Sequence, residues 1–463
     1  MLIARERELK EIKELCNSKK FEFLVMYGRR RVGKTEILKE ISKEFNTIFF
    51  SAQEKNDLLN LSDFSEILRK HFKENYLPTF NNWENAFRYF AEKVKKGKRE
   101  ILIIDEFPYI ANENATIKSV IQHIIDHDLK NENVMLVLCG SSVSSMEEGV
   151  LGSKSPLYGR ATSKMEIKPL DYLDAFKFMG QYSLVDKFLT YGILGGIPHY
   201  LLQFDYKKDI IKNIGNSILK NNSILRDEPQ TLLRMELREP ATYNSILEAI
   251  SSSRNRLNEI SNCIHEESNK CLKYINTLKN IRIVEKQSPA GEKNDTKKSL
   301  YEISDNFIYF WYKFIFKNKS YYELLPPEKA AKEIYDELSN YMGKVFEKIS
   351  LQYMLRLAKN GKLPFVPQSF GKWWGNNKKI KKQDDIDILM ISKDKKQGIF
   401  CECKFKNEKV SMSEYQDLIL ASENFTNLTN KYYYIVSKSG FSKEVEKLKS
   451  KNLRLVSLED MVK

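Results

Sequence analysis

This sequence of 463 residues has no long apolar run. The longest, such as Val134–Cys139, are only strand-length, so no segment reads as a membrane-spanning helix and no membrane partner is expected. A disulfide framework is missing too. Six cysteines lie scattered at 16, 139, 263, 271, 401 and 403, a pattern that fits a reducing cytoplasm. The Cys401/Cys403 pair has no second pair or histidine cluster at zinc-ligand spacing, so these thiols read as small buried hydrophobes. The opening MLIARERELKEIKEL puts charges where a secretory signal needs apolar residues, which again leads to a cytoplasmic expectation. No internal repeat or low-complexity tract stands out.

What is present favours packed domains. Hydrophobic residues make up 42%, and the length exceeds what one compact core holds, so two to four domains are expected. Lysine and arginine total 76 against 62 acids, a net charge of +14. Such a balance favours a polyanionic partner, nucleic acid first. A lysine-, isoleucine- and asparagine-rich composition accounts for part of the charge equally well, so charge alone leaves both readings open.

From Phe21 to Leu170, short apolar runs alternate with amphipathic stretches. Phe21–Tyr27, Thr47–Ser51, Ile101–Ile104, Val134–Leu138 and Lys164–Ile167 read as strands buried on both faces. Thr35–Glu44, Leu58–Phe72 and Trp83–Lys95 read as the intervening helices. This alternation predicts a doubly wound α/β domain over 1–170. Residues 171–235 read as helical, with a turn over Gly192–Pro198. Within 236–318, three short helices precede the apolar runs Ile281–Glu285 and Leu300–Ile303, which flank the polar turn SPAGEKNDTKKS. Three helices and a hairpin have the shape of a winged helix. The aromatic run Phe307–Phe316 reads as a helix packed against it. Polar residues around Pro326–Pro327 suggest a linker over 319–334, and 335–463 mixes strand and helix again.

Gly28-Arg29-Arg30-Arg31-Val32-Gly33-Lys34-Thr35 matches the phosphate-binding pattern G-x-x-x-x-G-K-[ST] between a strand and a helix. The glycines let successive N–H groups turn inward as a nest for phosphate oxygens at a helix N-terminus. Lys34 is expected on the β- and γ-phosphates of ATP, and the Thr35 hydroxyl on Mg²⁺. In ILIIDEFPYI, Asp105 leaves a buried strand at the end where α/β sheets bind ligands, placed to support Mg²⁺. Glu106 is placed to polarise the attacking water. Ser141 and Ser142 end a third strand within reach of the γ-phosphate.

With these motifs the chain resembles the archaeal ATPase family within the AAA+ and STAND-type P-loop ATPases. The resemblance rests on the RERE start, GRRRVGKT, LIIDEFPY, LCGSS, SPLYGR and GGIPHYL. It implies a P-loop ATPase core over 1–170 and a helical lid over 171–235, with the third and fourth strands beside the first. Arg5 and Glu8 would lie near the adenine, with Ala4 where the related motif usually has glycine. Pro198 would touch the base from the lid. Arg160 would sense the γ-phosphate, in cis or across a subunit boundary of a homo-oligomer. Its alternative role is a pair with a surface carboxylate.

In the expected winged helix, Arg254, Arg256, Lys270, Lys273 and Lys279 either contact DNA phosphates or form a solvated face. Further on, Ile386–Ile391 alternates around Asp387. In GIFCECKFK, period-two geometry puts Glu402 and Lys404 on one face and Cys401, Cys403 and Phe405 on the other. Asp387 and Glu402, with Glu347 as a third acid, form a candidate site for a hard cation, and Lys404 would position water there. This arrangement is similar to the PD-(D/E)XK nuclease fold. The WWG stretch Trp373–Gly375 belongs to a region of the archaeal ATPase family related to that fold. A restriction-endonuclease-like α/β domain is therefore expected over 335–463, either cutting DNA or retaining only the fold.

Overall fold

The computed structural model describes residues 2–95, 98–292, 298–377, 381–448 and 450–463. Two compact units emerge. One is Met1–Leu170 with Ile197–His199; the other is Asp171–Gly196 with Tyr200–Lys463. No helix among the described residues is long and apolar enough to cross a membrane.

The first unit is built on β1 (Glu22–Tyr27), β2 (Thr47–Ser51), β3 (Glu100–Asp105), β4 (Val134–Gly140) and β5 (Ser163–Glu166). All four pairings are parallel, in the order β2-β3-β4-β1-β5. The expected neighbours of β1 need correction: β4 and β5 flank it, while β3 lies one strand further out. Helices cover both faces, so every residue of β1 and β4 is buried, and the continuous apolar runs become intelligible. α1 (Glu6–Cys16) and α2 (Lys34–Glu44) pack through apolar stripes, Ile37, Leu38 and Ile41 being buried in α2. A second layer stacks Phe50, Phe64, Trp83 and Phe87 with ring centroids 5.3–6.2 Å apart.

The second unit begins with short helices. The turn expected over 192–198 starts only at Gly195, because Leu184–Leu194 is one helix. Gly192 stands inside it as a packing residue: an added Cβ would lie 2.2 Å from the Met342 sulfur. Helices Pro240–Ser251, Leu257–Cys263 and Ser268–Asn280 precede an antiparallel hairpin of β6 (Val284–Gln287) and β7 (Leu300–Ile303). The middle of its turn, 293–297, lies outside the described residues. The aromatic run is helical over Asn306–Phe310 and then widens to a π-helix over Trp311–Phe316.

The residues expected as a linker, 319–334, lie within this unit. The segment expected as one holds the helix Lys319–Glu323 and the start of a 33-residue helix, Pro327–Lys359. Proline at a first helical position loses no hydrogen bond, so Pro326–Pro327 opens the helix. Buried Ala330, Ala331 and Ile334 then supply the apolar stripe that the polar composition hid. The helix packs on a mixed sheet of β8 (Pro367–Asn377), β9 (Lys382–Ser392), β10 (Gln397–Lys404), β11 (Asn430–Ser437) and β12 (Leu453–Ser457), ordered β12-β11-β10-β9-β8. β8 to β10 pair antiparallel, and β10 to β12 parallel. The hairpin turn docks on the β8 edge: Ala290 N–H donates to the Lys372 carbonyl at 2.9 Å, and Gly291 N–H to Ser369 Oγ at 2.9 Å. An exposed sheet edge is thereby covered.

Candidate nucleotide site and carboxylate cluster

The loop between β1 and α2 is shaped by its two glycines. Gly28 has φ 152°, and a Cβ there would fall 2.3 Å from the Ile167 carbonyl oxygen; Gly33 has φ 97°. Arg31, at φ 69°, also takes a left-handed conformation that non-glycine residues rarely adopt. Buried Val32 anchors the loop, while Arg29 is buried and Arg30 and Arg31 are partly exposed. Lys34 Nζ donates to the carbonyls of Gly28 at 2.8 Å and Arg29 at 3.0 Å, which centres the ammonium in the loop. Burial lowers its pKa, opposed by the nearby Cys139, Glu106 and Asp105.

The two motifs meet here. Thr35 Oγ1 donates to Asp105 Oδ2 at 2.8 Å. Glu106 Oε2 accepts from Ser141 Oγ at 2.8 Å and from Ser141 N–H at 3.3 Å. The backbone of Glu106 is left-handed, φ 53°, a conformation costly for any residue with a Cβ and often kept where a side chain must be aimed. Ser142 turns away to Ser145. A hydroxyl and a buried carboxylate side by side are hard oxygen donors, so Thr35 and Asp105 fit Mg²⁺, which takes its remaining ligands from phosphate and water.

Arg5 reaches the same loop. It donates to the carbonyls of Val32 at 2.8 Å and Lys168 at 2.7 Å and pairs with Glu8 at 3.1 Å. Ala4 and Arg5 have φ 63° and 78°, which explains why glycine would suit the fourth position. Pro198 opens the short helix Pro198–Leu201 and groups with this unit through 197–199. Neighbouring His199 has its pKa lowered by burial and then by the charge of Arg31. The Arg160 guanidinium makes a forked contact with Asp126 at 2.7–3.1 Å, the carboxylate pairing named as its alternative role.

In the second unit, Asp387 and Glu347 come together around a residue that the sequence reading missed, Lys372. Lys372 Nζ lies 2.9 Å from Glu347, 3.0 Å from Asp385 and 3.7 Å from Asp387. Asp387 Oδ2 accepts the Cys403 N–H at 2.9 Å, tying β9 to β10. Glu402 and Lys404 pair with each other on one face of β10, while Cys401, Cys403 and Phe405 are buried on the other. Burial, then the charge of Asp387, pushes the pKa of Glu347 up to about 8 and that of Glu402 up to about 7.

The cluster borders a cleft of about 390 Å³ lined by the hairpin, the long helix, β8 and β9. Lys344 pairs there with Glu302 at 2.8 Å, and Lys348 with Glu285 at 3.2 Å. Among the described residues no three Asp, Glu, His or Cys side chains are grouped to hold a metal ion. The expected set Asp387, Glu402 and Glu347 is not gathered into such a group among the described residues. Lys372 from β8 stands against Glu347, Asp385 and Asp387, and Lys404 from β10 pairs with Glu402. Trp373 is core, edge-on to Phe425 at 5.0 Å, and Trp374 Nε1 donates to the Lys298 carbonyl at 3.1 Å.

Comparison with known proteins agrees with the first unit. Residues 2–204 match a model described as an ATPase domain predominantly from Archaea, and 311–416 one described as archaeal and bacterial proteins of unknown function. An uncharacterized protein of Methanocaldococcus jannaschii is 35% identical over 460 residues, covering 96% of this chain and 97% of its own. An uncharacterized ATP-binding protein of Pyrococcus abyssi is 26% identical over 289 residues, 54% of this chain and 88% of its own. Among solved structures, a Walker-type ATPase of Pyrococcus abyssi superposes with a TM-score of 0.52 at 18% identity, over 67% of this chain and 96% of that one. That likeness is one of fold. With Lys34, Thr35, Asp105 and Glu106 assembled at the end of a parallel sheet, residues 2–204 belong to the ATPase domain family predominantly from Archaea, and the whole chain belongs to one family with the Methanocaldococcus protein that it matches almost end to end.

Proposed function

We propose that the chain binds and hydrolyses ATP at the first unit and uses the nucleotide to control binding of DNA by the second. The observation that carries the hydrolytic part is the pair of contacts Thr35–Asp105 and Glu106–Ser141 beside the Lys34 ammonium. In this reading the Gly28–Gly33 backbone and Lys34 hold the β- and γ-phosphates, and Thr35 and Asp105 would hold Mg²⁺, which would supply further positive charge against the phosphates. Ser141 fixes the Glu106 carboxylate, which accepts the proton of the attacking water.

The test is phosphate release from ATP and Mg²⁺ by the whole chain and its Glu106→Gln variant. The variant should still bind ATP, while hydrolysis falls at least roughly a hundredfold, the scale of a lost general base. Parallel loss of binding and hydrolysis would make Glu106 structural.

The DNA part rests on net charge and on the helices Leu257–Cys263 and Ser268–Asn280, read as a winged helix with the following hairpin. Arg254 and Lys273 are exposed there, whereas Lys270 pairs with Glu266 and Arg256 with Glu259. One observation favours a second reading, a signalling or scaffold ATPase without cleavage: Lys344, Lys348, Lys372 and Lys404 are all already paired with carboxylates. Metal-dependent nicking of plasmid DNA, lost in Asp387→Ala, would decide for a nuclease. Absence of DNA affinity at low salt would decide for the scaffold.

A further inference from the structure

We infer that Lys372 is the resident cation of the carboxylate cluster in the second unit, and that the cluster takes up a divalent metal only when this ammonium is withdrawn. Three acids from two elements converge on one Nζ: Glu347 from the long helix, and Asp385 and Asp387 from β9. The convergence is built into the sheet. Gly371 pairs with Leu389 but Trp373 pairs with Ile386, so the register shifts at Lys372. Bulges of this kind re-aim side chains, and this one sets Lys372 against the stretch of β9 that carries Asp387. The backbone of Lys372 is also fixed from the other side, because its carbonyl accepts the Ala290 N–H from the docked hairpin turn. Trp373 next to it is locked in the core.

A hard divalent ion needs carboxylate oxygens at about 2.0–2.6 Å. The oxygens of Glu347 and Asp387 that would serve already face the ammonium, and a metal among them would meet a positive charge at short range in a half-buried site. Ammonium and metal therefore compete for the same oxygens. The ammonium has the advantage of being covalently present. None of these residues belongs to the nucleotide-binding unit, so failure of the ATPase reading would leave the competition intact. Metal binding without DNA cleavage would likewise separate this competition from nuclease activity.

The test is Mn²⁺ affinity of the nucleotide-free whole chain, by calorimetry or electron paramagnetic resonance, at fixed pH and salt. Lys372→Met and the more polar Lys372→Gln should each bind Mn²⁺ at least about tenfold more tightly than wild type, on the premise that a removed cation no longer opposes a bound one. Adding Asp387→Asn should abolish the gain, and Lys372→Arg should stay at wild-type affinity. Unchanged or weaker binding in a folded Lys372→Met or Lys372→Gln variant overturns the inference. A second measurement needs no variant. Acetylation of Lys372 in wild type, followed by peptide mass spectrometry, should accelerate as Mn²⁺ is raised. A labelling rate independent of Mn²⁺ would equally overturn it.

Discussion

Burial shifts two ionisable side chains, Lys34 and Glu347, in opposite directions. Lys34 has its ammonium held on loop carbonyls beside Glu106 and Asp105, where it is the loop's central positive charge. Lys34→Ala should abolish ATP turnover and greatly weaken ATP binding, measured with a fluorescent ATP analogue and by phosphate release; undiminished turnover would refute the site. Glu347 has a folded pKa of about 8, against an ordinary 4.5, through burial and the Asp387 charge. An acid raised on folding binds more protons folded than unfolded, so its stabilising contribution is full below about pH 4.5 and is lost as pH rises through about 8. Between those limits the melting temperature of wild type should fall with pH more steeply than that of Glu347→Gln. Parallel melting curves from pH 5 to 8.5 would show that Glu347 is not the titrating group.

At the scale of elements, the phosphate loop is held by how closely β1 approaches the chain after β5. Ile167 N–H donates to the Tyr27 carbonyl at 2.7 Å, and the missing Cβ of Gly28 leaves room for the Ile167 carbonyl. Gly28→Ala puts a methyl into that carbonyl at a φ that L-residues rarely adopt. The variant should lose about 1–3 kcal/mol of stability, the usual scale of forced backbone strain, and bind ATP poorly. Urea unfolding with retained ATP affinity and unchanged midpoint would show that the loop tolerates the side chain. The elements misread from sequence fail for one reason. Pro326–Pro327 and Gly192 look like breaks, yet proline opens a helix without cost and glycine inside a helix is kept where a neighbour, here Met342, needs its space. Both outcomes depend on residues distant in sequence.

For the whole molecule, the expectation is that nucleotide state changes DNA affinity. A switch requires a ligand that binds two states with different free energy, and the γ-phosphate distinguishes ATP from ADP at the loop. A non-hydrolysable ATP analogue should change DNA affinity by at least severalfold relative to ADP, measured by fluorescence anisotropy at one salt concentration. Salt must be constant because phosphate contacts alone shift affinity by orders of magnitude. Equal affinities in nucleotide-free, ADP and analogue states would end the coupling idea and leave the ATPase reading untouched.

By itself the sequence determined the strands of the first unit and which residues meet at its candidate nucleotide site. A strand buried on both faces must be apolar throughout, and a phosphate loop needs its glycines, lysine and hydroxyl at fixed local spacing, so both leave unbroken signatures. Period-two alternation likewise assigned Glu402 and Lys404 to one face of β10 and the thiols to the other. The tertiary structure alone decided the order of the strands, the pairing of Arg160 with Asp126 and the placing of Lys372 among Glu347, Asp385 and Asp387. These depend on which elements cross over and where a register slips. A lone lysine before two tryptophans carries no mark of the acids it will meet, because charges act through space and those acids come from other elements.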